Sequence, residues 1–273
     1  MDKRLKIVQE FWNRCPCNIK HSRRLVGSKE YFNEVEKKRY FVEPHNYTFP
    51  EFYKWKGKSV LEIGCGIGTD AINFARHGAK LTAVEISQNS LNLSKTRFRV
   101  FGLSAELLHG NAEFLSSFVP VKPYDLIYSF GVIHHTPNPK NVFEEIKKYC
   151  DKDTEIKIML YAKWSWKALE IIINYGKFQF WKTKKLVQKY SEAQTGSPFT
   201  YCYSKSEIAK LMDGYKIISI EKTHIFPYRV DKYLNQKYDK TWYFKYMPSF
   251  LFTILKKLFG WHLLITAKIK ENF

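Results

Sequence analysis

The chain has 273 residues, with 45 Lys and Arg against 26 Asp and Glu, and carries a formal net charge of +19. Its 45% hydrophobic and 17% aromatic content can fill a sizeable core and excludes intrinsic disorder, while 13 Gly and 10 Pro exclude a collagen-like or low-complexity fibre. This length fits one large domain, or one domain with an appended lobe.

Residues 3–55 read as helical with breaks: Leu5, Val8, Phe11 and Trp12 fall at helical spacing, and Tyr31, Val35 and Lys38–Tyr40 continue a second amphipathic stretch. Pro44 and Pro50 punctuate it, so 1–55 is expected to be a helical cap or lid ahead of the first strand. From Lys58 the texture changes. Ser59–Ile63 is a short apolar run stopping at glycines, and a helix is expected over Thr69–His77. Lys80–Val84, Glu106–Leu108, Tyr124–Ser129 and Glu155–Leu160 read as further strands, with helices over Ser87–Phe101 and Val142–Tyr149 between them. Strands alternating with helices imply βαβ units and a mostly parallel, doubly wound sheet. The expected core is 56–162.

Beyond it the alternation relaxes. Trp164–Tyr190 reads as one or two amphipathic helices and Gln194–Thr200 as a loop. Ser204 and Glu207 have capping-box spacing before Ile208, Leu211 and Met212, and Gly214 ends that helix. Tyr215–Glu221 is a sixth strand, 224–259 is aromatic, basic and partly helical, and Trp261–Ile269 is a seventh strand. The expected fold is therefore α/β, a Rossmann-like doubly wound, seven-stranded mixed sheet. It carries the N-terminal cap and helical insertions after strands 5 and 6, with 163–273 adding substrate-side helices and the last two strands.

Five cysteines, an odd number, form no disulfide framework, and Cys15–Cys17 lacks a second pair at zinc-ligand spacing. No metal is expected, and free thiols suit a reducing compartment. No segment reaches the roughly 18–20 apolar residues of a membrane span. The start Met1-Asp2-Lys3-Arg4 lacks an apolar signal region, so a cytoplasmic protein is expected. The positive charge favours anionic partners. It is spread along the chain, however, and names none of them.

Between the first strand and its helix lies Glu62-Ile-Gly64-Cys-Gly66-Ile-Gly68-Thr69. Glycines there allow a sharp turn and close approach to a ligand at a helix N-terminus. A dinucleotide fingerprint would place its third glycine at residue 69, where this chain has Thr. Glu85 ends the second strand, 21 residues after Gly64, where a carboxylate can accept both hydroxyls of a ribose.

These residues carry a resemblance. Val60–Thr69 is similar to motif I of the class I S-adenosylmethionine (SAM)-dependent methyltransferases, and Ala83–Ser87 resembles their second motif. The resemblance implies that Glu85 holds the ribose and Ile86 packs on adenine, while Glu62 partners the methionine end of the cofactor. Gly110–Glu113 resembles the third motif, which reads the adenine edge. Asn111 replaces the usual Asp, keeping an acceptor and gaining donors, and it also suits a helix N-cap. Tyr124–His135 resembles motif IV of the branch that includes the ubiquinone/menaquinone methyltransferases. The cofactor contacts so implied are Glu62, Gly64, Cys65, Gly66, Gly68, Thr69, Glu85, Ile86, Asn111, Ala112 and Phe130. One departure is Cys150–Asp153, where many relatives have Lys-Pro-Gly-Gly. Phe11–Asn13, Pro16–Cys17, Tyr31–Phe32, Arg39–Tyr40 and Glu43–His45 resemble a bacterial subgroup in which N-terminal helices cap the cofactor.

His134 and His135 follow the fourth strand, at the carboxyl edge where open α/β sheets bind ligands. Adjacent side chains diverge, so one is expected to be structural and one to face the pocket. A His there can take a proton from an acceptor near neutral pH. Tyr40, Tyr161, Tyr201, Tyr203 and Arg229 are acceptor-pocket candidates by position alone, with packing the competing role. The implied reaction displaces the methyl of SAM onto a small-molecule O, N, S or C nucleophile, leaving S-adenosylhomocysteine (SAH). An aromatic-rich tail fits a hydrophobic acceptor and the Lys/Arg surplus an anionic one. Phe250–Leu258 is amphipathic and open to core packing, to a homodimer, or to a membrane surface or lipid substrate; a monomer stays equally open. Three rival readings fit the residues less well. Enzymes acting on exocyclic base amines carry Asn/Asp-Pro-Pro-aromatic after the fourth strand, whereas this chain has Ser129–Val132, which speaks against an RNA methyltransferase. A non-catalytic SAM-fold module is opposed by the glycine loop with Glu85, and a nicotinamide oxidoreductase by Thr69.

Overall fold

Apolar runs of five to seven residues between helices place the central strands where both faces are covered, as in a parallel sheet. The protein, a computed structural model, is described over residues 3–191, 197–233, 235 and 237–270. Of the loop expected at 194–200, residues 194–196 lie outside these. Seven strands are ordered β3-β2-β1-β4-β5-β7-β6: β1 (Ser59–Ile63), β2 (Lys80–Glu85), β3 (Glu106–His109), β4 (Leu126–Phe130), β5 (Glu155–Tyr161), β6 (Tyr215–Thr223) and β7 (His262–Ile269). The first five are parallel, and β7 runs antiparallel between β5 and β6, so the sheet is mixed as expected. The chain winds outward from β1 to β3 and then restarts at β4 on the other side. The carboxyl ends of β1 and β4 therefore border the switch-point crevice where such folds bind ligands.

The helices are α1 (Lys3–Arg14), α2 (Lys29–Val42), α3 (His45–Thr48), α4 (Thr69–Arg76), α5 (Gln88–Val100), α6 (Pro139–Lys147), α7 (Trp166–Gly176), α8 (Thr183–Tyr190), α9 (Lys205–Leu211), α10 (Val230–Tyr233), α11 (Trp242–Lys245) and α12 (Ser249–Phe259). One face of the sheet packs Leu61, Ile63, Ile127 and Ile158 against Val142, Phe143 and Ile146 of α6. The other packs Val60, Leu126 and Tyr128 against Ala71, Ile72 and Phe74 of α4. Ser204 and Glu207 form the expected capping box on α9. Before β5, where the sequence departs from Lys-Pro-Gly-Gly, Asp151 Oδ1 accepts from the backbone N–H of Asp153 and Thr154, both at 2.9 Å, and closes the turn.

The N-terminal helices are tied to the sheet by polar contacts. Asn89 Nδ2 donates to the Asn13 carbonyl (2.9 Å) and Gln9 Nε2 to the Ile86 carbonyl (3.3 Å), pinning α1 to the entry of α5. Fully buried Arg97 donates to Thr69 Oγ1 (2.6 Å) and the Phe32 carbonyl (2.9 Å), joining α2, α4 and α5. Burial lowers its pKa to about 10. At the other end α12 buries no residue and exposes Phe250, Leu251, Ile254, Leu258 and Phe259. Among the described residues no helix is long and apolar enough to cross a membrane. All five cysteines are free thiols.

Candidate active site

A cavity opens at the carboxyl ends of β1, β2 and β4, and the glycine loop forms its floor. Gly64 turns the chain at φ +79°, and a Cβ there would lie 2.2 Å from Val132 Cγ2, so only glycine fits. Gly66, at φ +55°, has open space where a Cβ would stand, which leaves its backbone bare toward the cavity. Glu85 fastens this floor. One carboxylate oxygen accepts from the Gly66 N–H and the other from the Ser87 N–H, both at 2.8 Å. Burial raises the Glu85 pKa, and the backbone donors of Ser87, Gly66 and Ile86 oppose that rise.

Glu62 is 3% exposed and lines the cavity, and its Oε2 is buried with no hydrogen-bond partner among the described residues. Burial, then Asp70 and Glu85, push its pKa well above the carboxylate range, while Arg39 pulls against them. An orphaned buried carboxylate oxygen asks for a charged donor. Arg39 also lines the cavity and pairs with Asp70 at 3.2 Å, where Tyr40 and Tyr128 hydroxyls also donate to Asp70 (3.0 and 3.1 Å). Burial works against the Arg39 charge, but Asp70 and Glu43 outweigh it and its pKa is raised.

Across the cavity, Asn111 Oδ1 accepts from the Glu113 N–H (2.9 Å) and caps the short 3-10 turn that follows. Ile86, Asn111 and Ala112 all line the wall, as do Cys65, Thr69 and Phe130. The N-terminal cap adds Val8, Trp12, Cys17 and Asn18. The cavity thus brings two buried carboxylates, Glu62 and Glu85, together with Asn111 and Ile86. A family model described as "Methyltransferase domain" matches residues 34–225, well over half of the chain. The chain belongs to the class I SAM-dependent methyltransferases.

Curated relatives agree on the core of the chain. It is 28% identical over 100 residues to a ubiquinone biosynthesis O-methyltransferase of Salmonella paratyphi A, covering 37% of this chain and 41% of that one. A second, from Pseudoalteromonas translucida, is 25% identical over 99 residues, covering 36% and 42%. The match thus spans about two fifths of each relative's length. In fold, the chain is similar to magnesium protoporphyrin IX methyltransferase from Synechocystis PCC 6803 with bound SAH, at 14% identity and a TM-score of 0.60 over 97% of this chain and 99% of that one.

The two histidines after β4 occupy different places. His135 lines the cavity, while His134 is completely buried beneath it and does not. His135 Nδ1 lies 2.9 Å from the Phe199 carbonyl, 3.1 Å from Ser197 Oγ and 3.2 Å from Thr200 Oγ1, so this nitrogen is held by the 197–200 segment. Trp12 packs edge-on against the His135 ring at 5.2 Å. His134 instead lies on Tyr161, with centroids 3.9 Å apart, and neither of its ring nitrogens has a partner among the described residues. Burial, with His135 beside it, drives its pKa well below the usual histidine value. The structure therefore places the base candidate His134 outside the cavity lining, because its ring is buried against Tyr161 at the end of β5.

Several other candidates also lie outside the cavity lining. Gly68 N-caps α4 at φ +76°, where a Cβ would meet Ser94 Oγ at 2.5 Å, so its role is packing against α5. Tyr40 is spent on Asp70 and the Thr69 carbonyl. Tyr201 donates to the Pro137 carbonyl (3.3 Å), and Tyr203 packs against the core. Arg229 pairs with Asp231 at 3.0 Å on the surface, and with Tyr161 it lines a second cavity. Trp12 and Arg39 are cavity residues that carry no motif. The sequence marked them only as parts of amphipathic helices and of the flanking resemblance, because their place at the cavity depends on how α1 and α2 fold back over the loop.

Proposed function

We propose that this chain transfers a methyl group from SAM to a nucleophilic atom of a small molecule, with His135 as the base that removes its proton. The observation that carries this is one cavity uniting the unpaired Glu62 oxygen and the Glu85–Gly66 cradle with a histidine whose Nδ1 is held by the 197–200 segment. When bound, SAM supplies an electrophilic methyl sulfonium. The chain's part is to hold and orient. Glu62 takes the ammonium, Glu85 the ribose hydroxyls, and Asn111 with Ala112 the adenine edge, while Ile86 packs on the ring face. Trp12 and Phe130 wall off water on the acceptor side. Orientation of this kind is worth roughly 7–11 kcal/mol of barrier, and a positioned base about 10² to 10⁴ in rate. Val8, Trp12, Phe130, Val132 and His135 all line the cavity, with the Trp12 and His135 rings in contact, and this largely apolar wall suits a small acceptor over an extended polymer.

The test is SAH formation with a panel of small phenols, amines and thiols, each run with wild type and His135→Ala. Turnover with a panel member, lost by two orders of magnitude or more in the variant while SAH binding stays, supports the proposal. Turnover that the variant leaves unchanged removes His135 from the chemistry.

A further inference from the structure

On the far side of Phe130 from the cofactor cavity, four side chains converge from four places in the chain. Glu43 closes the C-terminal end of α2, His45 opens α3, His224 follows β6, and His262 opens β7. The Phe130 ring lies 5.8 Å from that of His45 and 5.7 Å from that of His262. Glu43 Oε1 is 3.8 Å from His224 Nε2 and 3.9 Å from His262 Nε2, and the candidate donor atoms of these three residues all lie within 4.8 Å of one another. These separations are too long for hydrogen bonds, so the three groups point at a shared space without bonding across it. In a tetrahedral site with metal–ligand bonds near 2.0–2.1 Å, the ligand atoms stand about 3.3 Å apart. The two Glu43 separations would contract by about half an ångström, and the histidine pair by up to about 1.5 Å, to reach that geometry.

The outer contacts match what such a site requires. A ligating histidine usually donates its second ring N–H to a fixed acceptor, and a ligating carboxylate is itself hydrogen-bonded. His262 Nδ1 lies 2.7 Å from His45 Nε2, and Glu43 Oε2 accepts from Asn46 Nδ2 at 2.8 Å. Each therefore presents its remaining atom, Nε2 or Oε1, to the shared space. His224 is held at φ +67°, an uncommon backbone conformation for a residue with a side chain, and its carbonyl accepts from the Trp261 N–H at 2.8 Å. The same three residues border a cavity of about 330 Å³ whose wall also holds Lys167, Glu170 and Arg229.

We propose that Glu43, His224 and His262 form a mononuclear site for a divalent transition-metal ion of the zinc class. Two histidines and one carboxylate leave coordination positions open, as in sites that bind water or a ligand oxygen. Here the open side faces the cavity, where Lys167 and Arg229 suit an anionic oxygen ligand. The cysteine spacing could not reveal this site, because its ligands stand at 43, 224 and 262.

The test uses the full chain, stripped of metal with a chelator and titrated with Zn²⁺ in a calorimeter and with Co²⁺ in a visible spectrometer. The proposal expects one Zn²⁺ per chain at micromolar affinity or tighter, and Co²⁺ bands in the visible. His224→Ala and Glu43→Gln should each weaken binding at least 100-fold, and His45→Phe about 10- to 100-fold, the usual effect of losing an outer-shell partner. Retained SAH binding by the same variants shows that they fold. A Cys15→Ser/Cys17→Ser double variant should bind as wild type does. Absence of stoichiometric binding overturns the proposal, as does binding that the cysteine variant loses and His224→Ala keeps.

Discussion

The glycine-loop cavity and the histidine cluster both approach the Phe130 ring, and they are built in opposite ways. The glycine-loop side is a loop site: Gly64, Gly66, Glu85 and Asn111 sit at successive strand–helix connections, and backbone N–H groups fix the Glu85 and Asn111 side chains. The histidine side is a side-chain site, assembled from the residues that follow α2 and β6 and the first residue of β7. A loop site needs a few residues at fixed spacing, because backbone geometry forces them together. A side-chain site needs the whole fold, because only the antiparallel insertion of β7 between β5 and β6 brings residue 262 beside residues 43 and 224.

The comparison can be broken most forcefully on the acceptor side of the first cavity. His135→Ala should lower turnover about 10² to 10⁴-fold with SAH affinity unchanged, measured by steady-state kinetics beside calorimetry. If SAH affinity falls in parallel, His135 is part of the cofactor cradle and the division of labour fails. The loop itself is next. Gly64→Ala forces a side chain into positive φ and into Val132, and it should destabilise the fold by about 2–4 kcal/mol in a urea titration.

Acid should act on buried histidines away from the loop. Burial, then Lys38 and Arg39, lower the His21 pKa to about 3, and His134 is also driven well below 6.5. Their folded pKa values lie below the unfolded one, so the unfolded state binds the extra protons. Their contribution is therefore intact above pH 6.5 and lost as pH falls below it. Between pH 7 and 5.5 the loss is at most about 1.4 kcal/mol per histidine, seen as a falling midpoint in denaturant. A midpoint that stays level would show that these rings are solvated. The smallest effects sharpen the contrast. His134→Leu removes a ring with no polar partner among the described residues and should leave stability within about 1 kcal/mol and turnover near wild type. His224→Ala should leave SAH affinity unchanged.

Much of this was legible in the sequence, for reasons the two cavities make plain. The glycine turn at 64–68, the acidic strand end at 85 and the capping box at 204–207 are local devices, and spacing alone exposes them. One histidine of the pair was expected to face the pocket and one to be structural, and only His135 lines the cavity; the two rings do not diverge, however, but lie 4.3 Å apart. Other features were hidden. Tyr40 was assigned to the acceptor pocket, yet its hydroxyl is drawn to Asp70, a buried carboxylate on α4 that no spacing rule connects with it. Trp12 enters the cavity wall only because Asn13 and Gln9 fasten α1 to the start of α5. The Glu43–His224–His262 cluster had no signature, since its members are separated by most of the chain.

The central claim is that the Glu85–Gly66 cradle holds the cofactor. The most direct measurement is calorimetric titration of the purified chain with SAH, beside Glu85→Ala and an NADH control. Micromolar SAH binding in wild type, weakened about 100-fold or more in Glu85→Ala with NADH inert, is the predicted result; two lost hydrogen bonds to a charged group, at about 1.5–3 kcal/mol each, account for that factor. SAH binding that Glu85→Ala leaves intact, or none at all near 100 µM protein, would contradict the account.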